Sequence, residues 1–155
     1  MALDDLGLPQ AVEQLVNLFG ERGKLRGSFS LEGHHYQLPK HVEIAVFRIV
    51  QEALNNVVNH AKTDKVKVRM HYTDAALTVL IADEGVGFDT KYAHDEPTEE
   101  SDDSFDMEAQ RRKRHFGVIG MEERAKLIGA AIQILSEPKK GTKVHLRVEN
   151  RMVDE

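Results

Sequence analysis

A short stretch of the chain, residues 51–61, carries four polar side chains that could take part in phosphate chemistry. They are Glu52, Asn56, Asn59 and His60. Helical residues turn by about 100° each, so on a helix all four fall within one strip roughly 100° wide. A carboxylate can polarise a nucleophile, and an amide oxygen four residues on can ligate magnesium that stays bound to phosphate and water. The spacing suits phosphoryl transfer, and a solvated polar face is the simpler alternative.

Two glycine motifs further along the chain could bring the backbone close to a ligand. The first is Asp83-Glu84-Gly85-Val86-Gly87-Phe88, directly after an apolar run, and the second is His115-Phe116-Gly117-Val118-Ile119-Gly120-Met121. Glycine permits close backbone approach, and a carboxylate at a strand end can hold the edge of a base. Amides near the start of a helix favour phosphate. Each motif alone occurs by chance, but their order and spacing together are a strong signal.

Hydrophobic periodicity predicts the elements that must position these residues. Three helices are predicted, from Pro9 to about Gly20, from Lys40 to Ala61 and from Val118 to Ile128. Strands are predicted over residues 25–31, 65–72, 77–82, 130–136 and 142–148, with two hairpins among them. This pattern predicts a two-layer α/β sandwich with helices on one face of a mixed sheet. The chain has no P-loop lysine motif and lacks the full dinucleotide fingerprint.

Composition limits the class of protein. The chain has 155 residues, 41% of them hydrophobic, which is enough for one core and one domain. The absence of cysteine excludes a disulfide framework and agrees with a reducing cytoplasm. No apolar run is as long as a membrane span, so we expect a soluble piece. The net charge of −5 argues against a general nucleic-acid binder, whereas a nucleotide needs only local positive charge.

Residues 89–114 differ in kind from the rest of the chain. Asp95 to Glu108 contain eight acidic residues and no basic ones, and Arg111-Arg112-Lys113-Arg114 follow. So polar a segment cannot bury enough surface to offset its ordering entropy, and we expect it to be mobile. It is either a plain solvated loop or, given the motifs on both sides, a lid over the site.

The order of the motifs resembles the N, G1, G2 and G3 boxes of the GHKL ATPase superfamily, which has the Bergerat fold. Sensor histidine kinases, type II topoisomerases, Hsp90 and MutL share this fold. The resemblance runs from about Ala2 to Val148 and ends on Gly141-Thr142. Residues 2–8 look like the junction that follows the dimerisation helices of two-component kinases. Residues 47–56 resemble the DegS-like subgroup, whose response regulators end in helix-turn-helix domains. The resemblance implies a junction over 1–8, an ATPase domain over 9–150 with an ATP lid at 89–114, and a tail over 151–155.

The resemblance also implies a role for each site residue. Asn56 corresponds to the magnesium ligand. Glu52 corresponds to the acid that activates water in the topoisomerases and assists transfer to histidine in the kinases. Asp83 corresponds to the acceptor for the adenine amino group. Nucleotide contacts are further implied for Asn59, His60, Gly85, Gly87, Phe88, Gly117, Gly120, Met121 and Thr142.

Two positions depart from the family pattern. The family commonly has lysine or arginine where Asn59 stands, so one phosphate-contacting cation is missing. His60 or the Arg111 to Arg114 run are the candidates to replace it. Lys139 occupies the place of the earlier glycine of the usual GxGT, so the G3 assignment rests on Gly141-Thr142.

The resemblance implies a cytoplasmic domain that binds ATP and Mg²⁺ and delivers the γ-phosphoryl group to a histidine on a separate dimerisation domain, for relay to a response regulator. Only His94 among the eight histidines precedes an acid, and it lacks the context of an acceptor. We therefore expect the acceptor elsewhere in a longer, homodimeric kinase that can be membrane-anchored. The alternatives are an anti-sigma-factor type serine kinase, disfavoured by Leu3 to Leu8, and a nucleotide-responsive binding module without turnover.

Overall fold

The computed structural model describes residues 7–22, 25–60, 63–85 and 105–150, without the side chains of residues 60 and 105–115. The elements, in chain order, are α1 (Leu8–Glu21), β1 (Arg26–Glu32), α2 (Lys40–His60), β2 (Lys65–Tyr72), β3 (Ala76–Asp83), α3 (Phe105–Leu127), β4 (Ala131–Glu137) and β5 (Gly141–Glu149). No helix within these ranges has both the length and the apolar character needed to cross a membrane.

The five strands form one mixed sheet in the order β1-β2-β3-β5-β4. β1 and β2 are parallel, and α2 lies between them in the chain as the crossover that parallel neighbours require. The other neighbours are antiparallel, with hairpins joining β2 to β3 and β4 to β5. The predicted sandwich, with a mixed sheet of five strands and three helices, is confirmed.

The core lies between the helices and one face of this sheet. β2 alternates strictly, burying Val66, Val68 and Met70 while it exposes the basic residues between them. α1 begins with Pro9 in its first turn, where a missing N–H costs nothing, and buries Val12. The core also contains Ile49, Leu54, Leu77, Ile81 and Leu146. Among the described residues the helices cover only this face of the sheet, and Lys67 and Arg69 on the other face are exposed.

The third helix is longer than the sequence predicted. The expected helix starts at Val118, whereas α3 starts at Phe105. Residues 106–114 have no apolar stripe, but they are rich in Met, Glu, Ala, Gln, Arg and Lys, which have high intrinsic helix propensity. Intrinsic helix propensity therefore accounts for the helix over these residues, which hydrophobic periodicity does not predict. Residues 89–104 of the predicted lid lie outside the described residues, and its mobility stays a prediction.

A cluster of aromatic and acidic side chains lies where β2 ends and α2 begins. The Tyr72 ring meets the rings of His35 and Tyr36 edge to face, at centroid distances of 5.2 and 5.0 Å. The Tyr36 hydroxyl donates to the carbonyl oxygen of Thr73 at 2.7 Å. The buried Tyr72 hydroxyl, by contrast, has no hydrogen-bond partner in the described part of the chain. Burial also raises the pKa of Glu43, although the Leu38 amide donates to its carboxylate.

Removing the Tyr72 hydroxyl should stabilise the domain. A buried hydroxyl without a partner costs desolvation free energy, so Tyr72→Phe should raise the free energy of unfolding by about 1 kcal/mol. Tyr36→Phe removes a hydroxyl that does have a partner and should lower it by about 0.5–1 kcal/mol. Urea denaturation of the two variants and the parent chain gives both values. A clear loss of stability in Tyr72→Phe would contradict this description of the cluster.

Candidate functional site

The sequence motifs meet at one end of the helical face. α2 ends at His60 and β2 begins at Lys65, so a short connection keeps the end of α2 close to the start of β2. Val66, near that start, pairs with Asp83 at the end of β3. Both side chains are buried and therefore point toward the helices. Asp83 and the polar strip of α2 thus lie at the same end of the sandwich.

Gly117 of α3 packs directly against two of the polar side chains of α2. A β-carbon at Gly117 would lie 2.5 Å from Glu52 Oε1 and 3.1 Å from Asn56 Oδ1. Both of those side chains are half-buried, and Gly117 itself is buried. The structure therefore brings the polar residues of α2 and the second glycine motif together. The missing side chain at position 117 leaves the space that the carboxylate and the amide occupy.

Two backbone amides hold the carboxylate of Asp83, one from the segment just after β3 and one from β5. The Gly85 amide donates to Asp83 Oδ1 at 2.8 Å, and the Thr142 amide also donates to this carboxylate. Only 7% of Asp83 is exposed, and burial raises the pKa of its carboxyl group, while the two amides partly offset that rise. A carboxylate has about four acceptor sites, so after these two bonds it can still accept from a ligand.

Gly141 lets β5 approach the end of β3. Its φ of 86° lies in the left-handed region, and a β-carbon there would overlap the carbonyl oxygen of Asp83. Ser136, which sequence reasoning missed, supports this end of the hairpin. Its hydroxyl lies 2.8 Å from Thr142 Oγ1 and donates to the Gly141 carbonyl at 3.2 Å. The available signal was the predicted hairpin, because Ser136 pairs with Thr142 across the turn.

Comparison with known proteins agrees with this geometry. The model of the family described as "Histidine kinase-, DNA gyrase B-, and HSP90-like ATPase" matches residues 41–152. The chain belongs to this family. It is 34% identical over 148 residues to the signal transduction histidine-protein kinase/phosphatase DegS of Brevibacillus brevis, covering 96% of this chain and 34% of that protein. The chain thus spans about a third of the length of the curated relatives it matches.

Solved structures of sensor kinases share the fold. The histidine kinase domain of the blue-light activated kinase from Erythrobacter litoralis EL346 has a TM-score of 0.63 at 18% identity, covering 91% of this chain and 64% of that chain. Full-length ShkA in complex with AMPPNP has a TM-score of 0.67 at 13% identity, covering 90% of this chain and 29% of that chain. At these identities the likeness shows the ATPase fold and nothing more.

The structure explains how this member of the ATPase family accommodates Lys139. Lys139 has a φ of 69°, the left-handed conformation for which glycine is normally used, and it lies in the turn between β4 and β5. The Lys140 amide closes this turn onto the Glu137 carbonyl at 3.0 Å. The turn therefore retains a glycine-like backbone at this position without a glycine.

Lys139→Gly should make the domain more stable. A non-glycine residue in the left-handed conformation costs about 1–2 kcal/mol, part of which is offset by the greater chain entropy of glycine, so we expect a net gain of about 1 kcal/mol in unfolding free energy. Lys139→Ala removes the same charge but keeps the β-carbon, so its unfolding free energy should not rise. Thermal and urea unfolding of both variants distinguish backbone conformation from charge, and an equal gain in the two would refute the conformational explanation.

The other predicted site residues have no contact with the Asp83 carboxylate or the Glu52 and Asn56 side chains that the described part of the structure establishes. Asn59 is exposed, and a β-carbon at Gly120 would have no neighbour within 4 Å in the part of the chain that the structure describes. Met121 is 1% exposed and belongs to the core. Gly87 and Phe88 lie outside the described residues, as do the side chains of His60 and of residues 111–114. Their predicted contacts with nucleotide stay predictions.

Proposed function

We propose that this chain is the ATP-binding catalytic domain of a DegS-like sensor histidine kinase, which transfers the γ-phosphoryl group of ATP to a histidine on a separate dimerisation domain. The arrangement around Asp83 carries the proposal. Its buried carboxylate is held by the Gly85 and Thr142 amides, and it lies at the same end of the sandwich as Glu52 and Asn56. A site for a base and a site for phosphates therefore share one face of the domain.

The residues fit a nucleotide and its magnesium ion. The open acceptor positions of Asp83 suit the amino group of adenine, which is a donor. Magnesium keeps most of its water and phosphate ligands and needs few from protein, so the single amide oxygen of Asn56 is a sufficient contribution. When bound, magnesium ATP supplies the transferable phosphoryl group and neutralises the charge that develops on it.

The roles of the chain's own side chains follow from this placement. Asp83 selects the base and fixes its position, and Asn56 orients the phosphates through the metal. Glu52 accepts a hydrogen bond from one ring N–H of the acceptor histidine, which leaves the other nitrogen with a free lone pair directed toward phosphorus. Gly117 sets the positions of the Glu52 and Asn56 heads, because any side chain there would displace them.

The partners are proposed from the relatives. The proteins it resembles are sensor kinases, so we infer that this chain works with a dimerisation domain of the same kinase, as part of a homodimer, and with a response regulator that ends in a helix-turn-helix domain. We further infer a cytoplasmic location for this domain, with membrane attachment elsewhere in the full-length kinase. The exposed amide of Asn59 stands where the family resemblance implies a cation, so we infer that other groups bind the phosphates.

Two measurements on the same preparation test this function. Calorimetry should show binding of ADP and of ATP, the latter dependent on magnesium. A dimerisation domain of a DegS-like kinase, added with labelled ATP, should then acquire phosphate that is lost in acid and stable in base, as expected of phosphohistidine. Binding without any transfer would favour the nucleotide-responsive module, and acid-stable phosphate on a supplied protein substrate would favour a serine kinase.

Gly117→Ala should separate stability from transfer. The new β-carbon would push the flexible Glu52 head aside, which costs little stability, and alanine also gains about 1 kcal/mol of helix propensity. We expect a change in unfolding free energy below about 1 kcal/mol. The transfer rate should fall roughly tenfold or more, because the Glu52 carboxylate is displaced from the acceptor histidine. Gly20→Ala, in α1 and outside the predicted site, meets only an ordinary contact with the Leu25 carbonyl oxygen at 3.4 Å and should show only the gain in stability. Unchanged transfer in Gly117→Ala would show that this contact does not position Glu52 for catalysis.

A further inference from the structure

The solvent-facing side of the sheet carries a strongly biased charge pattern. Lys67 and Arg69 of β2 are exposed, and they pair across the sheet with Ala82 and Leu80 of β3. On the far side of β3, Ala82 pairs with Lys143 of β5. Two cationic strands therefore flank an apolar one, on the face opposite to the side that Asp83 and the helices share.

The side chains on this face enclose a shallow trough of about 750 Å³. Its lining residues include six cationic ones and two acidic ones, Asp83 and Glu84, of which Asp83 directs its side chain toward the helices. The cationic side chains are Arg26, Lys65, Lys67, Arg69, Lys140 and Lys143. Leu80 and Ala82 lie at its centre and are half-buried, so the floor is apolar and the walls are positive.

Most of this positive charge has no ion-pair partner among the residues that the structure describes. Arg26 pairs with Asp64 at 3.3 Å and Lys140 with Glu137 at 3.0 Å, and all four of these side chains are largely exposed. Within the ranges that the structure describes, no carboxylate lies in ion-pair distance of Lys67, Arg69 or Lys143. A chain whose net charge is −5 thus concentrates unpaired positive charge on one face of its sheet.

We infer that this trough binds an extended, acidic segment of a partner protein. Neighbouring strands lie about 4.8 Å apart, so the two walls, separated by β3, are about 10 Å apart and leave room for one extended chain. Successive side chains of an extended peptide point to opposite sides, and alternate ones are about 6.6–6.8 Å apart, which is also the spacing of Lys67 and Arg69 along β2. Consecutive aspartate or glutamate residues would therefore direct carboxylates to both walls.

The same features disfavour two other polyanions. Single-stranded nucleic acid is usually held by aromatic side chains on which bases stack, and the described residues lining the trough include no Phe, Tyr or Trp. An anionic membrane presents a flat surface, which would contact the charged rims of a trough but not its apolar floor. A peptide chain can occupy both. This inference concerns the face away from the helices and does not depend on the proposed kinase activity.

Binding of a labelled octaglutamate peptide tests the inference, with octaglutamine as the uncharged control. Fluorescence anisotropy should show saturable binding of octaglutamate that weakens with salt, as expected for exposed charges. Lys67→Glu with Arg69→Glu makes the lining four cationic and four acidic residues, and should weaken binding at least tenfold. The matched control is Arg22→Glu with Lys126→Glu, two exposed cations outside the trough, which changes the net charge equally and should bind like the parent.

Several outcomes would overturn the proposal. Equal loss of binding in the two double variants would show an effect of net charge alone, and equal binding of octaglutamine would exclude recognition of carboxylates. Tighter binding of oligothymidine or of phosphatidylglycerol vesicles, lost on substitution of the same two residues, would assign the trough to nucleic acid or to membrane.

Lys67→Gln with Arg69→Gln, a milder change, keeps the test valid if the charge reversal unfolds the domain, and it should weaken octaglutamate binding at least threefold. Magnesium ATP affinity should be the same in the Gln variant as in the parent, and a parallel loss would show that the trough is not a separate site.

Discussion

Replacing Asp83 by asparagine should weaken nucleotide binding about 10- to 100-fold while the domain stays folded, because hydrogen bonds to a charged group are worth about 1.5–3 kcal/mol. The carboxylate accepts from the Gly85 and Thr142 amides and keeps acceptor positions free. Asparagine has one oxygen, which those amides would occupy, and its NH₂ group would meet the donor of adenine. Calorimetry with ADP measures the loss.

The raised pKa of Asp83 predicts that the same substitution, which weakens nucleotide binding, does not weaken the fold. Burial raises the folded-state pKa of this carboxyl, so the folded chain binds more protons than the unfolded chain between the two pKa values. Stability without nucleotide therefore falls as pH rises from the unfolded pKa through the folded one. Asp83→Asn removes this dependence and should be at least as stable as the parent at neutral pH.

Glu84→Gln is the matched control for both measurements. Glu84 is the neighbouring residue, is exposed and loses the same charge on substitution. The ADP affinity of this variant and the dependence of its unfolding free energy on pH should resemble those of the parent. Unchanged ADP affinity in a folded Asp83→Asn domain would reject the assignment of Asp83 to the base.

Glu52→Gln should spare ATP binding and slow transfer to histidine by about 100-fold or more, the range that a positioned acid or base contributes. Glutamine preserves the shape of the side chain beside Gly117 but cannot hold a proton. Single-turnover transfer to a dimerisation domain, at saturating ATP, separates this effect from binding.

Asn56→Asp should have the complementary effect. The added negative charge beside the triphosphate should weaken magnesium ATP binding roughly tenfold. A tenfold change in affinity corresponds to about 1.4 kcal/mol, which is the size of the repulsion expected between nearby charges. Asn55→Asp adds the same charge one residue away and serves as the control for long-range electrostatics. If Glu52→Gln and Asn56→Asp lost nucleotide equally, or if neither changed transfer, the roles given to α2 would be wrong.

The strands and the first two helices were readable from sequence because local signals agree with burial there. Lys65 to Tyr72 alternates cation and hydrophobe, and β2 has those bounds. Pro9 and the apolar spacing that follows predicted α1 to within a residue at each end. The start of α3 was not readable from periodicity, because residues 105–114 have no apolar stripe and rely on propensity.

The sequence by itself determined the family, the layer architecture and the candidate residues of the site, because order and spacing along the chain carry that information. Only the tertiary structure decided which of those residues meet. The contact of Gly117 with Glu52, the Thr142 amide on Asp83 and the support from Ser136 join residues on different elements. The positive trough is of the same kind, since its walls come from strands that β3 separates. Such contacts depend on strand register and helix placement, which are settled by packing of the whole core and leave no local pattern at the residues they join.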